Sequence, residues 1–280
     1  MTKARFLIRL TGFIIAGASL FMVFCYILFP ISKIDDLLAD ALAQQGLKIT
    51  PSVHKTVLPG LAWDEMVLSS AQGELLHCEH LQVRLLLLPL IIGRVNFATN
   101  ASIGKGFLET EYALSGKKAL SLTAEGISLA DIDFFKNVLG AKTAGNLWIH
   151  GELIRGAKGL NGELKLEIKQ LEFSGVKLGA FPLPDVSGLK TQGLIKVIDG
   201  KTRLESFTLE GGGVYMRLSG DIPSGANAAA MPLDMKLAIM PKAEFLEKQR
   251  LPFMLLAKFM NAPGVYTVPI KGTLLQPQIM

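Results

Sequence analysis

The chain is short of charge. Asp, Glu, Lys and Arg make up 19% of its 280 residues, below the roughly 25% of ordinary soluble domains, so an exclusively water-facing surface is not what this sequence builds. It holds two cysteines, Cys25 and Cys78. They cannot form a disulfide framework, because Cys25 lies inside an unbroken apolar run that a bilayer would enclose. A broad basic face is missing too. The net charge is +5, but Lys3, Arg5 and Arg9 supply three of those charges and the remainder is nearly balanced, which argues against nucleic acid as a partner.

Catalytic signatures are equally scarce. The sequence contains no G-x-S-x-G elbow, no P-loop and no H-E-x-x-H. Gly104-x-Gly106 lacks a third glycine, since position 109 is Glu. His77-Cys78-Glu79-His80 is the most metal-like grouping, yet on a strand His77 and His80 point to opposite faces, and His54 and His150 stand alone. Asp131 and Asp133 form a carboxylate pair, but Asp131 is accounted for as a helix-capping group. The reading is of a protein that is not an enzyme and carries no cofactor or metal.

What the sequence does have is one long apolar segment. Leu10 to Phe29 carries no charge, and 20 residues at about 1.5 Å each span the hydrocarbon layer of a bilayer. Lys3, Arg5 and Arg9 precede it, so the positive-inside bias places residues 1–9 in the cytoplasm, 10–29 in the membrane and 30–280 outside. Ala16-Gly17-Ala18 resembles a signal-peptidase site but falls in mid-run, which favours an uncleaved single-pass anchor.

Beyond the anchor, Ser32 to Gln45 reads as an amphipathic helix with Ser32 as N-cap, Leu37, Leu38, Ala41 and Leu42 on its apolar stripe, and Gly46 as its stop. The period then changes to two. Leu81 to Leu87, Leu164 to Ile168, Val214 to Leu218 and Leu233 to Ile239 alternate with polar residues, as half-buried antiparallel strands do. Glycines at short intervals leave room for tight turns and little for helical crossovers. Two short helical insertions are expected. One runs from Ser128 to Gly140, and the other from Ala243 to Ala262 with Pro252 as a kink or first-turn residue.

The order of these features resembles the bacterial type II secretion system protein N (GspN) family, itself similar to parts of AsmA-like envelope proteins. The resemblance rests on the anchor and amphipathic helix, Leu58-Pro59-Gly60-Leu61 with Trp63, and the Leu85 to Gly93 run. It continues through Gly126-Ile127-Ser128-Leu129, Gly145 to Gly151, Gly159 to Leu164, and the closing Val268-Pro269-Ile270-Lys271-Gly272-Thr273-Leu274-Leu275-Gln276-Pro277. It implies an inner-membrane protein whose mainly β periplasmic part is a curved antiparallel sheet or trough, with no catalytic motif.

Two functions follow as expectations. The first is a non-enzymatic accessory component of a type II secretion system, contacting other apparatus proteins through sheet edges or the greasy Leu251 to Met260 segment. The alternative is AsmA-like binding or transfer of phospholipid on an apolar groove. Its candidate lining is Leu164, Leu166, Ile168, Val214, Met216, Leu218, Leu233, Met235, Leu237 and Ile239, the same residues that would otherwise fill a dry core.

Overall fold

In the computed structural model, the described residues are 13, 16–17, 20, 31–56, 59–179, 181–225 and 228–279. The expected cytoplasmic tail and almost all of the expected anchor lie outside them. Among the described residues no helix is long and apolar enough to cross a membrane.

Helix α1 (Ile31–Ala43) covers the expected amphipathic segment, but it already contains Ile31 and Ser32, so Ser32 is a helical residue and not the expected N-cap; Gly46, at φ +72°, turns the chain out of it. Strands β1 (Leu47–Thr50), β2 (His54–Lys55), β3 (Gly60–Ser70) and β4 (Gly73–Leu85) follow. A short helix, α2 (Leu87–Ile91), leads into β5 (Asn96–Ile103), β6 (Gly106–Ala113) and β7 (Lys118–Ser128). After helix α3 (Phe134–Leu139) come β8 (Lys142–Arg155), β9 (Leu160–Ser174), β10 (Lys177–Leu178), β11 (Phe181–Pro182), β12 (Val186–Ile198), β13 (Lys201–Gly211), β14 (Val214–Ile222) and β15 (Asp234–Pro241). Helices α4 (Ala243–Lys248) and α5 (Arg250–Leu256) precede β16 (Met260–Ala262), β17 (Val265–Thr273) and β18 (Gln276–Ile279).

Strand content is 60% against 18% helix, so the chain is mainly β and antiparallel as the period-two pattern predicts, and its large sheet is curved as the resemblance implies. Sixteen strands form one sheet, ordered β1-β3-β4-β5-β6-β7-β8-β9-β12-β13-β14-β15-β17-β16, with β2 on β3 and β18 on β17. Every pairing is antiparallel. Neighbours in sequence are nearly always neighbours in space, which is what short glycine-rich connections permit.

One row of register partners crosses the sheet without a polar side chain. It runs Trp63, Leu81, Ala101, Leu108, Ala124, Ile149, Leu166, Gly193, Phe207, Leu218, Leu237, Val268, one residue from each of twelve strands. Because side chains alternate faces with period two, a shared register puts the whole row on one face. Gly193 is required there, since a Cβ would overlap the Leu166 side chain on the neighbouring strand.

Two left-handed residues reset the alternation. Glu65 and Gln170 take φ values of 53° and 55°, and each moves the next inward side chain from two positions away to three. Trp63 and Met66 are thus both buried, as are Ile168 and Leu171. Strands β3 and β4 keep their register across Glu65, whereas at Gln170 β9 carries an extra residue against β8, a bulge. At this bulge the buried Thr191 closes the ladder. Its Oγ1 accepts from Ile168 N–H at 2.6 Å and donates to Ile168 O at 3.0 Å.

The two helical insertions are present, with altered limits. Residues Leu129–Asp131 wind as a tight 3₁₀ turn and Ile132 is extended, so the expected continuous helix from Ser128 starts only at Phe134. No side-chain cap bond is made at Ser128 or Asp133, which corrects the capping role given to Asp131. Gly140, at φ +63°, stops the helix as expected. The second insertion divides into α4 and α5, with Pro252 in the first turn of α5, where a missing N–H costs nothing.

Candidate functional site

The inward row passes through two hydrophobic clusters of different character. The larger gathers β9, β10, β12 to β15, β17 and β18 with α4 and α5. Ile239, Leu256 and Val268 at its centre are completely buried, and Phe245, Phe253 and Tyr266 stack edge to face or tilted beside them. The smaller joins Val53, Trp63, Met66, Cys78, Ala101, Ile103, Ala124 and Ile127, with Leu38 of α1 packed against it.

Between the clusters the apolar face is only half covered. Leu120 and Leu122 of β7, and Leu160, Leu164 and Leu166 of β9, are half-buried and join neither cluster among the described residues. Gly151, a register partner of Leu122 and Leu164, and Gly193, a partner of Leu166, bring no side chain to fill the space. The next inward row, Val83, Thr99, Thr110, Leu122, Gly151, Leu164, Ile195, is small or aliphatic throughout. The result is a half-covered aliphatic floor between two packed clusters, with Leu153 and Val197 buried in the row beyond it.

The ten residues expected to line a groove divide across this boundary. Leu164 and Leu166 lie on the half-covered floor. Ile168, Val214, Met216, Leu233, Met235, Leu237 and Ile239 are buried together in the larger cluster, and Leu218 packs against it. The floor residues absent from that set are Leu120, Leu122 and Leu160, and the first two sit in the sequence Ala119-Leu120-Ser121-Leu122. Its alternation would have marked them, but the run is shorter than the others.

The opposite face is polar. Cavities of about 700 and 520 Å³ open on it among Thr123, His150, Lys165, Glu167, Lys190 and Glu210, where interleaved opposite charges neutralise one another. At its far edge three histidines are engaged with carboxylates, and the three-residue spacing between inward Cys78 and Leu81 sets His77 and His80 on this same face, against the expectation that they point to opposite ones. His77 Nε2 lies 2.9 Å from Glu65, while His80 and His54 share Asp64 at 2.7 and 3.5 Å. Cys78 points the other way, buried, its thiol donating to the carbonyls of His80 and Ser102 at 3.3 and 3.2 Å. Burial pushes its pKa above the ordinary 9.0, which keeps it protonated and a poor ligand or nucleophile at neutral pH. Among the described residues no group of three or more His, Cys, Asp and Glu is placed to hold a metal.

Fold and site together define a class: a mainly β protein built on one open, curved antiparallel sheet with an aliphatic inner face. Comparison with known protein families, with characterised proteins and with solved structures finds no match for the chain.

Proposed function

We propose that this is a non-enzymatic envelope protein that holds phospholipid acyl chains along the inner face of its sheet. The observation carrying this reading is the half-covered floor of Leu120, Leu122, Leu160, Leu164 and Leu166 between two closed cores. A sheet that buries one face must cover it with protein or with another apolar phase, and acyl chains are the phase that fits a long aliphatic strip without polar partners. The uncharged Leu10 to Phe29 segment supports the same reading, since a single-pass anchor in the bacterial inner membrane would hold the sheet in the periplasm beside its lipid.

The test uses membranes carrying the full chain and a phosphatidylethanolamine with a diazirine in its acyl chain. After illumination, adducts are expected on peptides covering residues 118–128 and 160–174. Adducts confined to residues 10–29 would refute lipid on the floor.

A second reading, an accessory subunit of a type II secretion system, draws on the outer surface of α5. Leu251, Met254 and Leu255 are exposed there, as is Met260 of the edge strand β16, the kind of apolar patch and open edge that a partner subunit covers. Loss of a secretion-system subunit from pull-downs of Leu251→Asp with Met254→Asp, the wild type retaining it, would favour this reading.

A further inference from the structure

The β4–β5 connection is unlike the tight turns around it. Residues 85–92, Leu-Leu-Leu-Leu-Pro-Leu-Ile-Ile, stand between Arg84 and Arg94, and α2 carries them out beyond the strand ends. Leu88, Ile91 and Ile92 are 81%, 80% and 68% exposed. The exposed Leu114 of the next turn lies beside this tip, its N–H donating to Val95 O at 2.9 Å. Contiguous aliphatic exposure of this kind marks a surface that meets an apolar phase.

Directly behind the tip is a basic recess. A cavity of about 120 Å³ lies between Arg94, Asn96, Glu111, Lys117 and Lys118. The acidic residue lining it, Glu111, accepts from Asn96 Nδ2 at 3.0 Å, and outside the cavity Glu152 pairs with Lys118 at 2.6 Å. Arg155 braces the same corner through Nη2 to Ala113 O at 2.8 Å. Residues 84–96, 111–118 and 152–158 hold six basic side chains against two acidic ones. Without these and Lys3, Arg5 and Arg9, the chain has 20 basic and 22 acidic residues. The positive surplus of the sheet domain is therefore concentrated at the greasy tip.

We propose that this corner docks onto the surface of an anionic phospholipid bilayer. The aliphatic tip enters the acyl region while Arg94, Lys117 and Lys118 lie at the level of the phosphates. A projecting Leu/Ile knuckle with a cationic collar matches the depth profile of a membrane interface, apolar inside and phosphate-rich outside. Docking also sets the bilayer against the end of the inner face where Leu85, Phe97 and Leu120 lie. The inference goes beyond lipid occupancy of the floor and stands on the tip's own exposure and charge.

The full chain with Cys25→Ser, carrying Ile91→Cys labelled with a polarity-sensitive fluorophore, is reconstituted in phosphatidylcholine vesicles with or without phosphatidylglycerol. Buried Cys78 escapes the label, and Lys105→Cys in the opposite β5–β6 turn serves as control. Doxyl lipid should quench the Ile91 probe several-fold more with phosphatidylglycerol present, leave the Lys105 probe unquenched, and lose its effect when Arg94→Glu and Lys117→Glu are combined with an unchanged circular dichroism spectrum. A probe that doxyl lipid never quenches overturns the proposal. So does quenching indifferent to anionic lipid and to charge reversal, and so does a probe shielded from water but not by lipid, the sign of a protein partner. Labelling of residues 160–174 by diazirine lipid is read separately, so failure of the tip and failure of the floor are distinguishable.

Discussion

The strands from β12 onward and the strands from β5 to β9 carry the same alternation and share one inward row, yet they end in different environments. In the C-terminal part, α4, α5 and the folded-back β16 and β18 lie over or beside the sheet, and Ile239 and Val268 are shut off from water. In the middle Leu122, Leu164 and Leu166 join neither cluster and stay half-buried. Alternation selects which face a side chain joins; whether that face is closed depends on a covering layer supplied from elsewhere in the chain.

The widest expected difference comes from one charge placed in each region. Leu237→Asp, at a position 7% exposed, should cost more than about 4 kcal/mol and abolish the folded state, because the carboxylate has no partner there. Leu166→Asp, in the same inward row, should fold at a cost of about 1–2 kcal/mol, since water reaches it. Denaturant unfolding of the full chain in detergent, followed by tryptophan fluorescence, compares the two. Equal penalties would erase the distinction between core and floor.

Truncation sharpens the same contrast at smaller scale. Ile239→Ala should lose about 2–5 kcal/mol through cavity formation, whereas Leu164→Ala should lose about 1 kcal/mol by area alone. Thr191→Val, at the junction between the regions, should cost about 1–3 kcal/mol by leaving the Ile168 N–H and C=O without their side-chain partner. Its loss should raise amide exchange at Ile168 and leave that of β17 unchanged.

Much of this was legible in the sequence, and what was not has identifiable causes. The α1 segment, the meander, Gly46 and Gly140 as helix stops, and Pro252 in a first turn all follow from local pattern. The left-handed residues Glu65 and Gln170 escaped because the signal is a change of spacing. Trp63-Asp64-Glu65-Met66 and Ile168-Lys169-Gln170-Leu171 read as broken alternation until a left-handed residue is placed between the two inward side chains. Helix α2 was hidden inside what looked like a continuation of β4. The groove set mixed core with floor because only tertiary packing separates Leu166 from Leu237.

The smallest effects lie at the surface. Lys118 and Lys271 donate to Glu152 and Asp234 at 2.6 and 2.7 Å, and these hydrogen bonds, aided by the ammonium charge, hold both carboxyls below their ordinary values of 4.5 and 3.8. A lowered folded pKa means the stabilisation is present above the unfolded value and is lost as pH falls through the folded one. Lys118→Met and Lys271→Met should therefore slightly flatten the acid limb of the Tm profile and leave neutral pH almost unchanged. Strong dependence near neutral pH would point to other groups.

The most direct measurement is site-specific photocrosslinking of the full chain in its native membrane, with p-benzoylphenylalanine placed at position 166 or position 165. Leu166 faces the inner floor and Lys165 the opposite, polar face. The account predicts phospholipid adducts by mass spectrometry at 166 and none at 165. Absence of lipid at 166, or equal labelling at both positions, would contradict it.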